Sequence, residues 1–136
     1  MTQFDVIEKP KHYNDHPSGV QAIEICEHLD FCLGNAIKYL WRAGKKPGQV
    51  ELGSDSAVED LKKSAWYLRR AIGKEYRSTG ITHSFSALTT VMQSEACGSV
   101  LRDVLELIVA KRLVGDPPRV ADALFRVERE LAKRGQ

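Results

Sequence analysis

One side of the helical run from Leu33 to Lys46 gathers reactive side chains. At 100° per residue, Asn35, Lys38, Tyr39, Arg42 and Lys46 fall within about 60° of one direction. Leu33, Ile37, Leu40 and Gly44 point the opposite way. One side therefore packs, while the other collects an amide, a phenol and up to three cations. A second run repeats the device with Asp60, Lys63, Tyr67, Arg70 and Lys74 at i, i+3, i+7, i+10 and i+14. Packed as a hairpin, the two helices would bring Lys38, Arg42, Lys63 and Tyr67 to one cleft. Guanidinium and ammonium groups beside aromatic rings suit a ligand with a flat ring to stack and phosphates to neutralise. Asn35 can read a base or sugar edge through its amide, and Gly34 admits a close neighbour, either backbone or ligand.

Charge is concentrated where these groups lie. Residues 33–77 hold ten Lys and Arg against five Asp and Glu, a local +5, whereas the whole chain is +2. A solvated basic surface is the competing reading, with Asp60 simply pairing with Lys63 or Arg42. Trp41 and Trp66 fall off the cleft face and read as packing residues. Upstream, Lys9, Pro10, Lys11, His12 and Tyr13 form a proline-fixed arm that can fold over a ligand as a lid; a surface turn is the alternative. His12 and His16 could bind a metal, but Pro17 and the loop setting make poor geometry for it. His28 and His83 lack companions. Glu24 and Glu27 have a spacing that can hold Mg²⁺, although a solvated helix face is the commoner outcome.

The elements that must position these groups are helical. Pro10 and Pro17 keep residues 1–19 an extended arm and loop. The 3.6-residue period predicts a first short helix from about Val20 to Leu29, burying Ala22, Ile25, Cys26 and Leu29. Asp30 is the expected N-cap of a second helix that ends at Gly44. Residues 45–56 read as a loop. Asp55 or Ser56 caps a third helix with the stripe Ala57, Leu61, Ala65, Leu68 and Ile72. A weaker helix spans Ser84 to Ala96. Gly98 and Ser99 open an apolar helix that runs to Gly115. After Asp116, expected to cap, and Pro117–Pro118, a last helix has Val120, Leu124, Val127 and Leu131 on one face and Asp122, Arg126, Arg129 and Lys133 on the other. The fold class is all-α: a small helical bundle with an extended N-terminal arm and a C-terminal helical hairpin. Residues 1–80 carry the chemistry. Residues 81–136 are a helical extension that shares the core or forms an oligomer contact.

Composition narrows the function. With 136 residues, 43% apolar and 28% charged, the chain reads as one soluble domain. Near-balanced charge argues against a whole-surface nucleic-acid or membrane binder. No apolar run approaches the roughly 20 residues of a membrane span, and Met1 to Lys11 lacks the apolar core of a secretion signal. Three unevenly spaced cysteines, Cys26, Cys32 and Cys97, fit reduced thiols in a cytosolic protein. P-loop, dinucleotide-fold, zincin and nucleophile-elbow motifs are all absent. Beside Glu24–Glu27 and the overlapping Glu27–Asp30, no E-x-x-[ED] pair falls on a second helix, where Glu59 and Asp60 are adjacent, which argues against an all-α nucleotide pyrophosphohydrolase.

Several blocks in order resemble a phage family. They are Lys9-Pro10-Lys11-His12-Tyr13, Ile23-Glu24-Ile25, Gly34-Asn35-Ala36-Ile37-Lys38-Tyr39, Arg42-Ala43-Gly44-Lys45-Lys46, and Asp60-Leu61-Lys62-Lys63 with Trp66-Tyr67-Leu68. The resemblance covers about residues 8–72 and is to the small nucleotide-kinase-like family, domain of unknown function 3310. Ser64 stands where that family usually has alanine. The resemblance implies a phage protein in the host bacterial cytoplasm that handles nucleotides without a P-loop. Two functions then compete. In a nucleoside monophosphate kinase, His12 or Asp60 would act as base, and Mg²⁺ would be held by Asp60 or Glu24. In a non-catalytic sponge, the same cleft would sequester cyclic nucleotide or cyclic ADP-ribose-type immune signals. In either case the ligand would meet Lys11, Tyr13, Gly34, Asn35, Lys38, Tyr39, Arg42, Lys45, Lys46, Lys63 and Tyr67. A homo-oligomer is expected, with the apolar C-terminal hairpin as the contact. Binding of nucleic acid through the basic helix ranks lowest.

Overall fold

The structure is a computed structural model that describes residues 16–43, 55–74, 85–111 and 116–136. Among them the only regular elements are helices. In chain order these are α1 (Ile23–Cys26), α2 (Phe31–Arg42), α3 (Asp55–Ala71), α4 (Phe85–Ser94), α5 (Val100–Leu105, continued by a π-helical turn over Glu106–Ala110) and α6 (Val120–Lys133). The all-α bundle foreseen from periodicity is the observed fold.

α1 is shorter than the period suggested. Its single α-helical turn is flanked by tighter turns, with the Glu24 amide bonded to the Gln21 carbonyl and the Leu29 amide to the Cys26 carbonyl. Glu24 also accepts the Gln21 amide at 2.6 Å, closing that turn from the side-chain end. Asp30 is extended, and its carboxylate accepts the Leu33 amide at 3.1 Å, so it is the N-cap of α2 as expected.

α2 and α3 pack side by side, and α6 lies along α3. α5 touches both α2 and α6, while α1 and α4 close one end. α5 and its π turn pack against α6 as the hairpin reading required. The core is continuous, from Ile25, Leu33, Ile37 and Trp41 through Leu61, Ala65 and Leu68 to Val104, Ile108 and Val127. It therefore includes residues from both the 1–80 and 81–136 segments. Across the α2–α3 contact, the buried Ser64 hydroxyl donates to the Ala36 carbonyl at 2.9 Å, a bond alanine could not make.

Three expectations are corrected. Ile72 leaves the apolar stripe and is 47% exposed, because α3 ends at Ala71 and Gly73 turns the chain with φ +82. Val58 and Ala71 complete the buried face instead. Asp116 is not the cap of α6: Arg119 holds that position, and its amide donates to the Leu107 carbonyl in the π turn at 3.0 Å. Arg126, placed by the helical wheel on the solvated face, is only 6% exposed. Its guanidinium donates to Asp103 at 2.7 Å and to the Gly98 carbonyl at 2.8 Å, and reaches Glu130 at 3.4 Å.

His16 fastens the N-terminal stretch to the far end of α4. The Ser18 amide donates to its Nδ1, which places the imidazole proton on Nε2, 3.0 Å from Glu95. Its ring lies 5.1 Å from that of buried Trp41, which packs as expected. His16 is thus a core fastening.

Candidate cationic-aromatic site

The split of α2 into two faces is present in the structure. Leu33, Ala36, Ile37 and Leu40 are buried, while Asn35, Lys38, Tyr39 and Arg42 are half-buried along the other side. Gly34 is explained by backbone: a Cβ there would stand 3.1 Å from the Cys26 carbonyl oxygen. The close neighbour is α1, and glycine is what lets α1 approach α2. Asn35 spends part of its amide on its own helix, donating to the Phe31 carbonyl at 2.8 Å.

Tyr39 is the hub. Lys38 Nζ lies 4.8 Å from its ring centroid, Lys63 Nζ 5.4 Å, and the Arg42 guanidinium carbon 5.7 Å. These are cation–π distances. Tyr67 stacks on the same ring at 5.9 Å with 13° between planes. Two helices therefore pool their cations and tyrosines at one place, and Lys38, Arg42, Lys63 and Tyr67 all meet there.

The positive charge is partly balanced. Arg42 Nε lies 3.4 Å from Asp60, whose residue is buried. Lys63 pairs with Glu59 one turn earlier at 3.1 Å. Hydrogen bonding to Glu59 is the main cause that raises the Lys63 pKa above its ordinary 10.5, so the ammonium stays charged through the neutral range. Asp60 faces a guanidinium from an enclosed position, a setting for ion pairing rather than for a hydrated cation. Glu24 is occupied in the turn before α1, and Glu27 lies 3.5 Å from His28. Among the described residues, no three His, Cys, Asp or Glu side chains gather as a metal-holding group.

Other candidates lie apart from the hub or beyond view. Arg70, near the end of α3, and Lys74, beyond it, are exposed. Lys11, His12, Tyr13, Lys45, Lys46 and His83 lie outside the described residues.

Two aromatic residues escaped the sequence reading. Trp66, expected to pack, is 54% exposed and meets Tyr67 edge-on at 5.0 Å. Phe31 is 73% exposed and meets Tyr67 edge-on at 5.9 Å. A signal for Phe31 was present in its spacing, since Phe31, Asn35 and Tyr39 recur every four residues. Each ring borders a recess. Phe31, Asn35 and Lys38 line one of about 230 Å³ between α1 and α2. Trp66, Lys62 and Arg69 line another of about 490 Å³ between α3 and α6.

Burial pushes the Cys26 thiol up to about 12 against the opposing pull of Lys38, so it stays a thiol beside the first recess.

Residues 7–69 match the model of a family described as a protein of unknown function, DUF3310. The match spans α1, α2 and most of α3, including every member of the Tyr39 hub. No curated protein and no solved structure matches the chain.

Proposed function

We propose that this protein binds a nucleotide at the Tyr39 hub. The observation that carries the reading is the placement of Lys38, Arg42 and Lys63 around one tyrosine ring, with a second tyrosine stacked on it. Cations held by aromatic faces are oriented before a ligand arrives, which lowers the ordering cost of gripping a phosphate. The phosphates meet Lys38, Arg42 and Lys63, and the bases stack on neighbouring aromatic rings.

Whether the ligand is turned over or held is a separate question. The resemblance to nucleotide-kinase-like phage proteins favours phosphoryl transfer, with Asp60 or His12 as base. The pairing of enclosed Asp60 with Arg42 favours capture, because that carboxylate serves to position a guanidinium. We favour capture by a phage-encoded binder acting in its bacterial host.

Calorimetry against nucleoside monophosphates and cyclic dinucleotides tests the binding. Lys38→Ala or Arg42→Ala is expected to weaken it by more than about 1.5 kcal/mol, the range for a charge-assisted hydrogen bond. Unchanged affinity in both variants removes the hub from the site. Incubation with ligand and Mg²⁺, heat denaturation and chromatography then separate the two modes. Altered nucleotide means turnover, and intact released ligand means capture.

A further inference from the structure

The geometry points to a ligand with two bases, one seated at Phe31 and the other at Trp66, with the linking phosphate at Lys38, Arg42 and Lys63. This rests on the nucleotide reading of the Tyr39 hub and specifies the class of nucleotide: a dinucleotide rather than a mononucleotide.

The hub itself offers little room for a base. Tyr67 stacks directly on Tyr39, and three cations stand within cation–π distance of the same ring. Cations at these distances suit the anionic part of a ligand. Stacking surface must come from elsewhere, and the two most open aromatic rings adjoining the hub are Phe31 and Trp66.

Those rings are arranged as a pair about one centre. Both meet Tyr67 edge-on, at interplanar angles of 70° and 85°. Both rings stand steeply inclined to Tyr67 and are more than half exposed, so each keeps surface open to a stacking partner. They come from different helices, Phe31 from the first turn of α2 and Trp66 from the middle of α3. Each also borders its own recess. The Phe31 recess has an amide and an ammonium, Asn35 and Lys38, at its rim, together with Glu27 and Asp30. The Trp66 recess has Lys62 and Arg69, with Glu128 4.0 Å from the Arg69 guanidinium. Two aromatic seats meet at Tyr67, the ring stacked on the cation-bearing Tyr39, which suits two bases joined through phosphate. Exposed apolar rings beside a cation cluster also match single-stranded nucleic-acid chemistry, in which successive bases stack and the backbone is neutralised. The hub supplies one such step, so the fitting occupant is a dinucleotide.

The test uses the whole protein with adenylyl-3′,5′-adenosine, AMP and a ten-nucleotide adenylate strand as probes, read by calorimetry. The dinucleotide should bind about tenfold tighter than AMP, the gain from one added stacking contact. Phe31→Ala and Trp66→Ala should each reduce dinucleotide affinity about tenfold, and Trp66→Phe should restore most of it. Trp66 is exposed and Trp41 buried, so dinucleotide should quench the red-edge tryptophan fluorescence of the wild type and leave that of Trp66→Phe unchanged. Equal affinity for AMP and dinucleotide, with Trp66→Ala and Phe31→Ala both silent, overturns the two-seat inference but leaves the hub as a mononucleotide site. Binding of the strand more than tenfold tighter than the dinucleotide also overturns it, in favour of a single-strand binder. No binding of any probe removes both this inference and the nucleotide reading beneath it.

Discussion

Arg42 Nε lies 3.4 Å from the Asp60 carboxylate, with side chains only 11% and 2% exposed. This pair joins α2 to α3, with the Arg42 guanidinium carbon 5.7 Å from the Tyr39 ring centroid. Removing one partner of an enclosed pair strands the other charge away from water. Asp60→Ala should therefore cost about 3 kcal/mol of stability, measured by urea unfolding. Replacing both, as Arg42→Met with Asp60→Leu, should recover most of that loss, because the desolvation cost of both charges disappears. Wild-type stability in Asp60→Ala would show that the carboxylate is solvated.

Glu59 tempers the hub from outside. It pairs with Lys63 at 3.1 Å on a well-exposed part of α3. Exposed pairs contribute little, so Glu59→Gln should change stability by less than about 0.5 kcal/mol. The same substitution removes a negative charge from the rim of an anion site. Nucleotide affinity should rise about two- to threefold at low ionic strength and lose most of that gain in 0.3 M salt, where the Debye length is roughly a fifth of its value at 0.01 M. Calorimetry at two salt concentrations reads both effects.

The architecture was legible because the 3.6-residue period is strong in α2, α3 and α6, and because Asp30 and Ser99 cap helices as their chemistry suggests. The hub was legible for the same reason: Lys38, Tyr39 and Arg42 lie on the face opposite Leu33 and Ile37, and only a packed neighbour was needed to add Lys63 and Tyr67. Periodicity says which side a residue takes, but not what covers that side. Trp66 borders the stripe of α3, and whether it is buried depends on how far α6 reaches across. The π turn at Glu106–Ala110 likewise has no local signature. It is tied to the start of α6 by the Arg119 amide bonded to the Leu107 carbonyl, a partner twelve residues away in sequence.

Arg126 shows the same limit with an energetic consequence. Asp122, Arg129 and Lys133, which share its predicted polar face, are exposed, but Arg126 turns into the contact with α5 and meets Asp103, Glu130 and the Gly98 carbonyl. The carbonyl and two carboxylates match the several donors of a guanidinium, which an ammonium cannot satisfy in the same geometry. Arg126→Ala should destabilise by about 3 kcal/mol and Arg126→Lys by about 2 kcal/mol in denaturant unfolding. Arg129→Ala on the exposed side should stay within about 0.5 kcal/mol of wild type.

Cys26 provides a pH signature of the packed α1–α2 contact. Burial raises its pKa from 9.0 to about 12, so the folded state holds the proton over a range in which the unfolded chain releases it. The unfolded state then binds fewer protons than the native one, and stability must fall as pH rises. The contribution is complete below pH 9 and is lost between about pH 9 and 12. In wild type, unfolding free energy should decline by about 1 kcal/mol per pH unit more steeply there than in Cys26→Ala. The same shift protects the thiol chemically. At pH 8 exposed Cys97 should react promptly with a disulfide reagent, while Cys26, with a thiolate fraction of about 10⁻⁴, should react only as fast as the α1 turn opens. Equal labelling rates for Cys26 and Cys97 would mean that α1 does not stay packed over Gly34.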